Sequence, residues 1–198
     1  MQRPVDTMEA RRKRLAIATG VGLGFAVGWN IANVGAVARS MADAYGVSLA
    51  SVGLLTTALF VVHMAMQIPA GIVVDRFGAR RAGMLAAAVL AAANGVALLS
   101  PSFALGLTAR AFAGIGTGLG FVAGSAMLSG GVEPRERARV QGVADAVIWT
   151  TSAAASLGSG VVVAAAGFST LGLIGVALVL APVWLLLSQR RAMGAAAV

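Results

Sequence analysis

Cysteine is absent from this chain of 198 residues, and the sequence contains a single histidine. Without thiolates the chain can form no disulfide and offers no cysteine ligand for zinc or an iron–sulfur cluster. It also lacks the glycine-rich loop with a lysine that cradles phosphates, and no apolar run carries two carboxylates. Hydrolysis and phosphoryl transfer therefore have no visible machinery, and we expect neither an enzyme nor a bound cofactor or metal.

Charge is scarce as well, since Asp, Glu, Lys and Arg make up 11% of the chain whereas 59% is hydrophobic. The mean hydropathy is +0.88. A soluble domain of this size would have too few polar side chains to cover its surface, so composition indicates an all-α, polytopic membrane protein in contact with a lipid bilayer. The net charge of +8 lies in short clusters between apolar runs. We expect these clusters to set topology and not to bind nucleic acid.

Six apolar runs are each long enough, or nearly so, to cross about 30 Å of hydrocarbon as a helix. We predict spans at residues 15–38, 50–74, 82–99, 103–128, 140–165 and 170–187. Residues 39–49 are expected to form a turn, and 100–102 a minimal one. The chain then divides into a basic cytoplasmic segment 1–14, a six-helix domain 15–188 and a cytoplasmic C-terminal segment 189–198.

Basic residues lie almost entirely on one side of this topology. Of the 15 Lys and Arg residues, all but Arg39 and Arg110 fall in the two termini and in the loops after spans two and four. Positively charged loops stay in the cytoplasm, so both termini are predicted to be cytoplasmic. Heavy use of Arg over Lys, and of Ala, Gly and Val, is typical of a GC-rich bacterial genome. The expected location is therefore the bacterial cytoplasmic (inner) membrane.

The loop between spans two and three carries a charged, glycine-punctuated pattern. Its positions are Gly71, Asp75, Arg76, Gly78, Arg80 and Arg81. We expect the two glycines to permit close backbone approach and positive φ at the turn, and the arginines to anchor the loop at an anionic leaflet. The pattern resembles the loop between helices 2 and 3 of the major facilitator superfamily.

This resemblance implies one six-helix half of the superfamily fold, built as a three-plus-three inverted repeat, and secondary transport of a small solute by alternating access. Arg110, followed by Gly114 and Gly116, is similar to the superfamily's helix-4 motif. The segment 22–28 is echoed by 118–124, as such a repeat would allow.

The superfamily's usual chain has twelve spans, so two readings stay open. The chain is a half-transporter that works with a partner half or a second copy, or it is a truncated or regulatory half that carries nothing alone. In the family, the aspartate that matches Asp75 meets the second half.

Ionisable groups inside spans are costly and usually mark a polar pathway. Helical rise places Arg110 and Asn30 at similar depths below the outer surface, so we expect Arg110, Asn30 and Asn33 to line one cavity. There Arg110 would bind an anionic substrate group or couple to proton movement. The alternative is an arginine that snorkels to the interface.

His63 is predicted near mid-membrane, with Gln67 one turn further on the same face. Imidazole exchanges a proton near neutral pH, so His63 is a candidate for proton coupling, and a packing role remains equally open. An intramembrane hydrolase would need Ser125 or Ser129 to face His63, and nothing in the local sequence singles out either serine.

A final stripe begins at Asp145 and continues through Trp149, Ser152 and Ser156 at spacings of four, three and four. Such spacings place all four residues on one helix face, so we predict that Asp145 and Trp149 line the same pathway. The alternative is a carboxylate that stabilises the helix N-terminus or pairs with the loop arginines.

Overall fold

The computed structural model describes residues 4–98, 102–130 and 132–194, and its ordered elements are helices. The eight longer helices are α1 Pro4–Ala32, α2 Ala38–Tyr45, α3 Leu49–Ala65, α4 Gln67–Phe77, α5 Ala79–Ala97, α6 Phe103–Gly130, α7 Arg137–Ala166 and α8 Ser169–Gly194. Short 3₁₀ turns at Gly35–Val37 and Pro134–Glu136 precede α2 and α7. The described part contains no β-strand, which confirms the all-α prediction.

Four helices of the described part are long and apolar enough to span a membrane, and a fifth span results if α3 and α4 count as one bent span. The third predicted span, residues 82–99, is not among these five. Its helix α5 begins with Arg80 and Arg81 and is otherwise rich in Ala and Gly, which add little hydropathy. The protein is a polytopic helical membrane protein. In the bundle, α5 packs mainly against α6 and α8.

Two predictions about individual elements were wrong. Residues 39–49 are not merely a turn, because α2 occupies most of them and ends at Tyr45. Gly46 follows as its C-cap with φ +64°. Span two is not one straight helix, because α3 and α4 meet at Met66 with a bend of 46°. Pro69 explains the bend: it has no N–H to donate to Ala65, and its ring clashes with that carbonyl. The minimal turn predicted at 100–102 lies mostly outside the described residues.

Helices α1 and α6 form the centre of the bundle. They pack on each other, α1 packs on α7 and α8, and α6 packs on α3 and α5. These contacts are the ones expected if α1, α3 with α4, and α5 correspond to α6, α7 and α8 in the predicted inverted repeat. The sequence echo does not follow it, because Gly22 faces Pro182 of α8 whereas Gly118 faces Met66 beside α3, which are not equivalent neighbours.

Glycines bring the central helices into backbone contact with their neighbours. A methyl group at Gly28 would lie 2.5 Å from the carbonyl oxygen of Ile148 on α7. On α6, a methyl group at Gly114 would lie 2.6 Å from the carbonyl oxygen of Leu59 on α3. Both interfaces therefore favour glycine over any larger residue, as is usual where helices pack closely in lipid.

The basic loops meet at one end of the bundle. Lys13 on α1 forms an ion pair of 3.7 Å with Glu136, which precedes α7. The Nε of Arg80, at the start of α5, donates to the carbonyl oxygen of Leu186 near the end of α8 at 3.0 Å. The first helix, the turn before α5, the turn before α7 and the last helix thus share this end.

Candidate functional site

Arg110 is held by the C-terminal end of α1. Its Nη1 donates to the backbone carbonyl of Asn30 at 2.8 Å and to the Oδ1 of Asn33 at 3.0 Å, and its Nη2 donates to the carbonyl of Ile31 at 3.3 Å. The last carbonyls of a helix lack partners within the helix and carry its negative dipole end, so a cation is stabilised there. Arg110 is 8% exposed and does not snorkel. The structure therefore brings together the three residues that the sequence grouped.

Asn94 extends this polar cluster to α5. Its Nδ2 donates to the Oδ1 of Asn30 at 3.1 Å and to the carbonyl of Leu90 at 2.8 Å, while Asn30 donates to the carbonyl of Ala26 at 2.9 Å. Sequence reasoning missed Asn94. The available signal was an amide in the interior of an otherwise apolar run, which is as informative in a membrane as a charge.

A cavity of about 100 Å³ adjoins Arg110 at the end of the bundle opposite the basic loops. Its polar wall consists of Arg110, the three asparagines and Tyr45 of α2, and its apolar wall includes Met41, Leu55, Ala93 and Phe168. Tyr45, which sequence reasoning also missed, lies at the cavity because α2 contributes part of its wall. The residues that surround the space are Asn30, Asn33, Val34, Met41, Tyr45, Leu55, Ala93, Asn94, Ala97, Gly106, Ala109, Arg110, Ala113, Phe168, Leu171 and Gly172.

His63 forms a second polar cluster next to the bend between α3 and α4. The hydroxyl of Thr117 donates to the carbonyl of Gly114 at 3.1 Å, so its oxygen is left to accept from the Nδ1 of His63 at 2.9 Å. The side-chain amide of Gln67 donates to the Nε2 of His63 at 3.0 Å. The same nitrogen also donates to the backbone carbonyl of His63 at 3.3 Å. A neutral imidazole with its proton on Nδ1 satisfies all of these contacts.

This second cluster does not line the Arg110 cavity. The rings of His63 and Phe121 meet edge to face with centroids 6.1 Å apart, and both His63 and Gln67 are half-buried. The predicted neighbourhood of His63 and Gln67 is therefore present, at a place separate from Arg110.

Asp145 and Trp149 do not lie at the Arg110 cavity either. The carboxylate of Asp145 accepts from Gln141 at 3.0 Å, and the same amide donates to Ser125 at 3.1 Å. Trp149 is 59% exposed, whereas Ser152 is buried and donates to the carbonyl of Gly28 at 3.0 Å. The predicted stripe thus does not form one lining surface, because α1 covers Ser152 and leaves Trp149 outside.

The glycine-punctuated turn has the geometry predicted for one of its two glycines. Gly78 separates α4 from α5 and has φ +84°, a conformation that favours glycine. Gly71 lies inside α4, and a methyl group there would meet nothing within 4 Å, so the close approach expected at Gly71 is wrong.

The charged residues of that turn differ in their surroundings. Arg80 binds α8, whereas Arg76 lies 5.5 Å from the ring centroid of Phe77. Asp75 and Arg81 are exposed, and within the described residues neither forms an ion pair.

Comparison with known proteins gives consistent matches. Residues 19–197 match the family model described as Major Facilitator Superfamily. The "Uncharacterized MFS-type transporter YddS" of Bacillus subtilis (strain 168) is 33% identical over 137 residues, which cover 68% of this chain and 31% of that protein. The "Uncharacterized MFS-type transporter YdeG" of the same organism is 32% identical over 126 residues, or 60% of this chain and 29% of that protein. The aligned part thus spans about three-tenths of either relative.

Proposed function

Because the chain belongs to the major facilitator superfamily, we propose that it is a secondary transporter, or one half of one, that moves a small solute by alternating access and uses the Arg110 cavity as its solute site. The observation that carries this proposal is a buried guanidinium beside a cavity, with no carboxylate paired to it in the described part of the chain. A buried charge without an ionic partner is expensive, and a solute with an anionic group would offset that cost.

Uptake by the purified chain in liposomes tests this proposal. We expect accumulation of a radiolabelled solute by the wild type and its loss in Arg110→Gln, with no loss in Arg39→Gln, whose arginine is exposed outside the site. A folded Arg110→Gln variant with unchanged uptake would overturn the assignment of the site.

We further propose that His63 couples transport to protons. A second proton on its Nε2 would oppose the Gln67 amide donor, so protonation requires that amide to turn its oxygen toward the ring and to give up its contact with the His63 carbonyl. Both changes occur beside the bend at Met66, where α4 leaves the direction of α3. With an imposed pH gradient, His63→Gln is expected to abolish gradient-driven accumulation while it preserves solute exchange at equal pH.

The third part of the proposal is that transport requires two six-helix halves. A second six-helix half, on a separate chain or a second copy of this one, would complete the pathway, and the exposed Asp75 is a candidate to meet it. The alternative is a non-transporting or regulatory half. Crosslinking in liposomes separates the two: uptake that tracks a crosslinked dimer supports the first, and a stable monomer with no flux supports the second.

Orientation belongs to the same proposal. We place both termini in the cytoplasm of a bacterium, with the basic segment 1–14, the six-helix domain 15–188 and the C-terminal segment 189–198 as the divisions of the chain. The ion pair between Lys13 and Glu136 supports this arrangement, because it joins two of the basic regions that the positive-inside rule assigns to one side.

A further inference from the structure

The guanidinium of Arg110 has donors left over after its contacts with α1. Of its five N–H groups, Nη1 uses two on Asn30 and Asn33, and Nη2 uses one on Ile31. Its Nε is the one buried side-chain nitrogen or oxygen in the described residues that has no partner. Stabilisation of the α1 terminus therefore accounts for three donors and leaves the Nε donor unexplained.

The remaining donors lie together. In a planar guanidinium the Nε–H and one Nη2–H point in parallel from the same edge, and this fork matches the two oxygens of a carboxylate. A different edge of the guanidinium, the one between Nη1 and Nη2, faces the backbone of α1. There Nη1 donates to the carbonyl of Asn30, and Nη2 donates to the carbonyl of Ile31. The edge that contains Nε is thus the one left for a ligand.

Charge and size restrict that ligand further. Arg110 is the one fully charged group among the residues that line the cavity, so a single negative charge neutralises it, whereas a dianion would leave a net negative charge in an apolar environment. The space of about 100 Å³ fits a small molecule, and Met41, Leu55 and Phe168 offer apolar contacts. Asn94 and Tyr45 add amide and hydroxyl groups that can orient a polar substituent.

We propose that the cavity binds a small monocarboxylate, whose carboxylate takes the Nε and Nη2 edge of Arg110 and whose apolar body packs on Met41, Leu55 and Phe168. The inference rests on the proposed function, since it names the substrate class of that same site. Nε is closed off in this conformation, so the carboxylate reaches it only when the cavity wall opens. A transporter that alternates between states provides such an opening.

Ligand-induced stabilisation of the purified full chain in nanodiscs tests the inference without requiring flux. The probes are sodium propionate and sodium benzoate, with propionamide and benzamide as neutral matches and inorganic phosphate as the competing anion at equal ionic strength. Binding to the folded state raises Tm in proportion to occupancy, so a saturable increase is expected for the carboxylates alone. Trp29 donates from its Nε1 to the carbonyl of the cavity residue Leu171 at 3.3 Å. Its fluorescence supplies a second readout when the exposed Trp149 and Trp184 are both replaced by Phe.

Arg110→Lys keeps the charge but loses the two-donor edge, and we expect carboxylate affinity to fall at least about tenfold. Arg39→Lys is the matched control and should bind as the wild type does. If Arg110→Lys does not fold, Ala97→Phe serves instead: residue 97 is an exposed cavity residue, so a ring there should block benzoate without removing the contacts of Arg110.

Equal stabilisation by the amides or by phosphate would overturn the inference, as would unchanged carboxylate binding in folded Arg110→Lys. The two proposals fail separately. If carboxylates bind saturably but no flux is measured, the proposed monocarboxylate site stands and the proposed transport function is wrong. If uptake of another solute depends on Arg110 and carboxylates do not compete with it, the proposed transport function stands and the monocarboxylate proposal is wrong.

Discussion

Asn94 illustrates how tightly single residues are constrained in this protein. It is 6% exposed, and its amide links Asn30 on α1 to the backbone of α5. On the opposite side it lies against Gly175 of α8, where any side chain would collide with the amide. The orientation of Asn30, and through it the shape of the Arg110 site, therefore depends on a glycine in another helix.

A substitution at Gly175 tests this dependence. We expect Gly175→Ala to lower the free energy of unfolding by about 1–3 kcal/mol, because the added methyl group displaces Asn94 from its hydrogen bonds. Asn94→Ala alone should cost about 0.6–1.7 kcal/mol. In the double variant, the methyl group at residue 175 occupies the space that the Asn94 amide has left. The double variant should therefore be destabilised by less than the sum of the two single variants. Reversible unfolding in detergent measures all three free energies. Additive costs would show that the two residues are not in contact.

The bend between α3 and α4 is the clearest structural feature at the level of elements. The last residue of α3 is Ala65, the residue whose carbonyl the ring of Pro69 excludes from the helical ladder. Gln67 and His63 lie on either side of this break and bond to each other across it. The proline thus sets both the direction of α4 and the geometry of the second polar cluster.

Pro69→Ala restores an N–H at this position and should let α4 continue the axis of α3. From Met66 to Phe77 the helix rises about 16 Å, so a change of direction moves its end by several Å. The chain has no cysteine, so Phe77→Cys with Val143→Cys gives one clean pair of spin-label sites, both exposed. We expect the interspin distance to shift by more than about 4 Å on Pro69→Ala. An unchanged distance would mean that packing, and not Pro69, holds the bend.

Helix contacts made through glycine give a second prediction at this scale. Gly114→Ala places a methyl group against the backbone of α3 and should destabilise the protein by about 1–3 kcal/mol. Gly158, inside α7, has open space around it, so Gly158→Ala should stabilise by up to about 1 kcal/mol through helix propensity. Thermal unfolding of the two variants in one detergent makes the comparison, and equal effects would contradict the assigned interface.

For the whole molecule, the distribution of charge predicts how the bundle sits in the bilayer. The basic turns meet at one end, and the Arg110 cavity, which α2 lines in part, lies at the other. In the proposed orientation, the Arg110 cavity would face the outer half of the membrane, and the arginine clusters would face the anionic cytoplasmic leaflet.

Cysteine accessibility tests this orientation. Asp43 and Arg135 are exposed at opposite ends of the bundle. In intact cells we expect a membrane-impermeant maleimide to label Asp43→Cys and to spare Arg135→Cys, and in inside-out vesicles the pattern should reverse. Labelling of both positions from one side would contradict the predicted topology.

Sequence reasoning predicted most helices because they depend on a local property, the apolar run. It failed at α2 and at the bend, where the outcome depended on a short amphipathic segment and on one proline. It grouped Arg110, Asn30 and Asn33 because depth along a helix follows from residue count. It missed Asn94 because it gave weight to charged groups in apolar runs and overlooked this amide. The stripe at Asp145 was grouped by helical angle alone, which does not say which neighbour covers each residue.

The sequence by itself determined that this protein lies in lipid, that it is helical, and that its basic residues collect in the termini and in two loops. Each of these follows from the free energy of placing residues in lipid or in water. Only the tertiary structure decided which polar side chains meet. Helix rotation and the close approach at glycines place the guanidinium of Arg110 on the end of α1 and leave one of its edges without a partner. Such contacts join residues that are about 80 positions apart in the chain, so no local pattern specifies them.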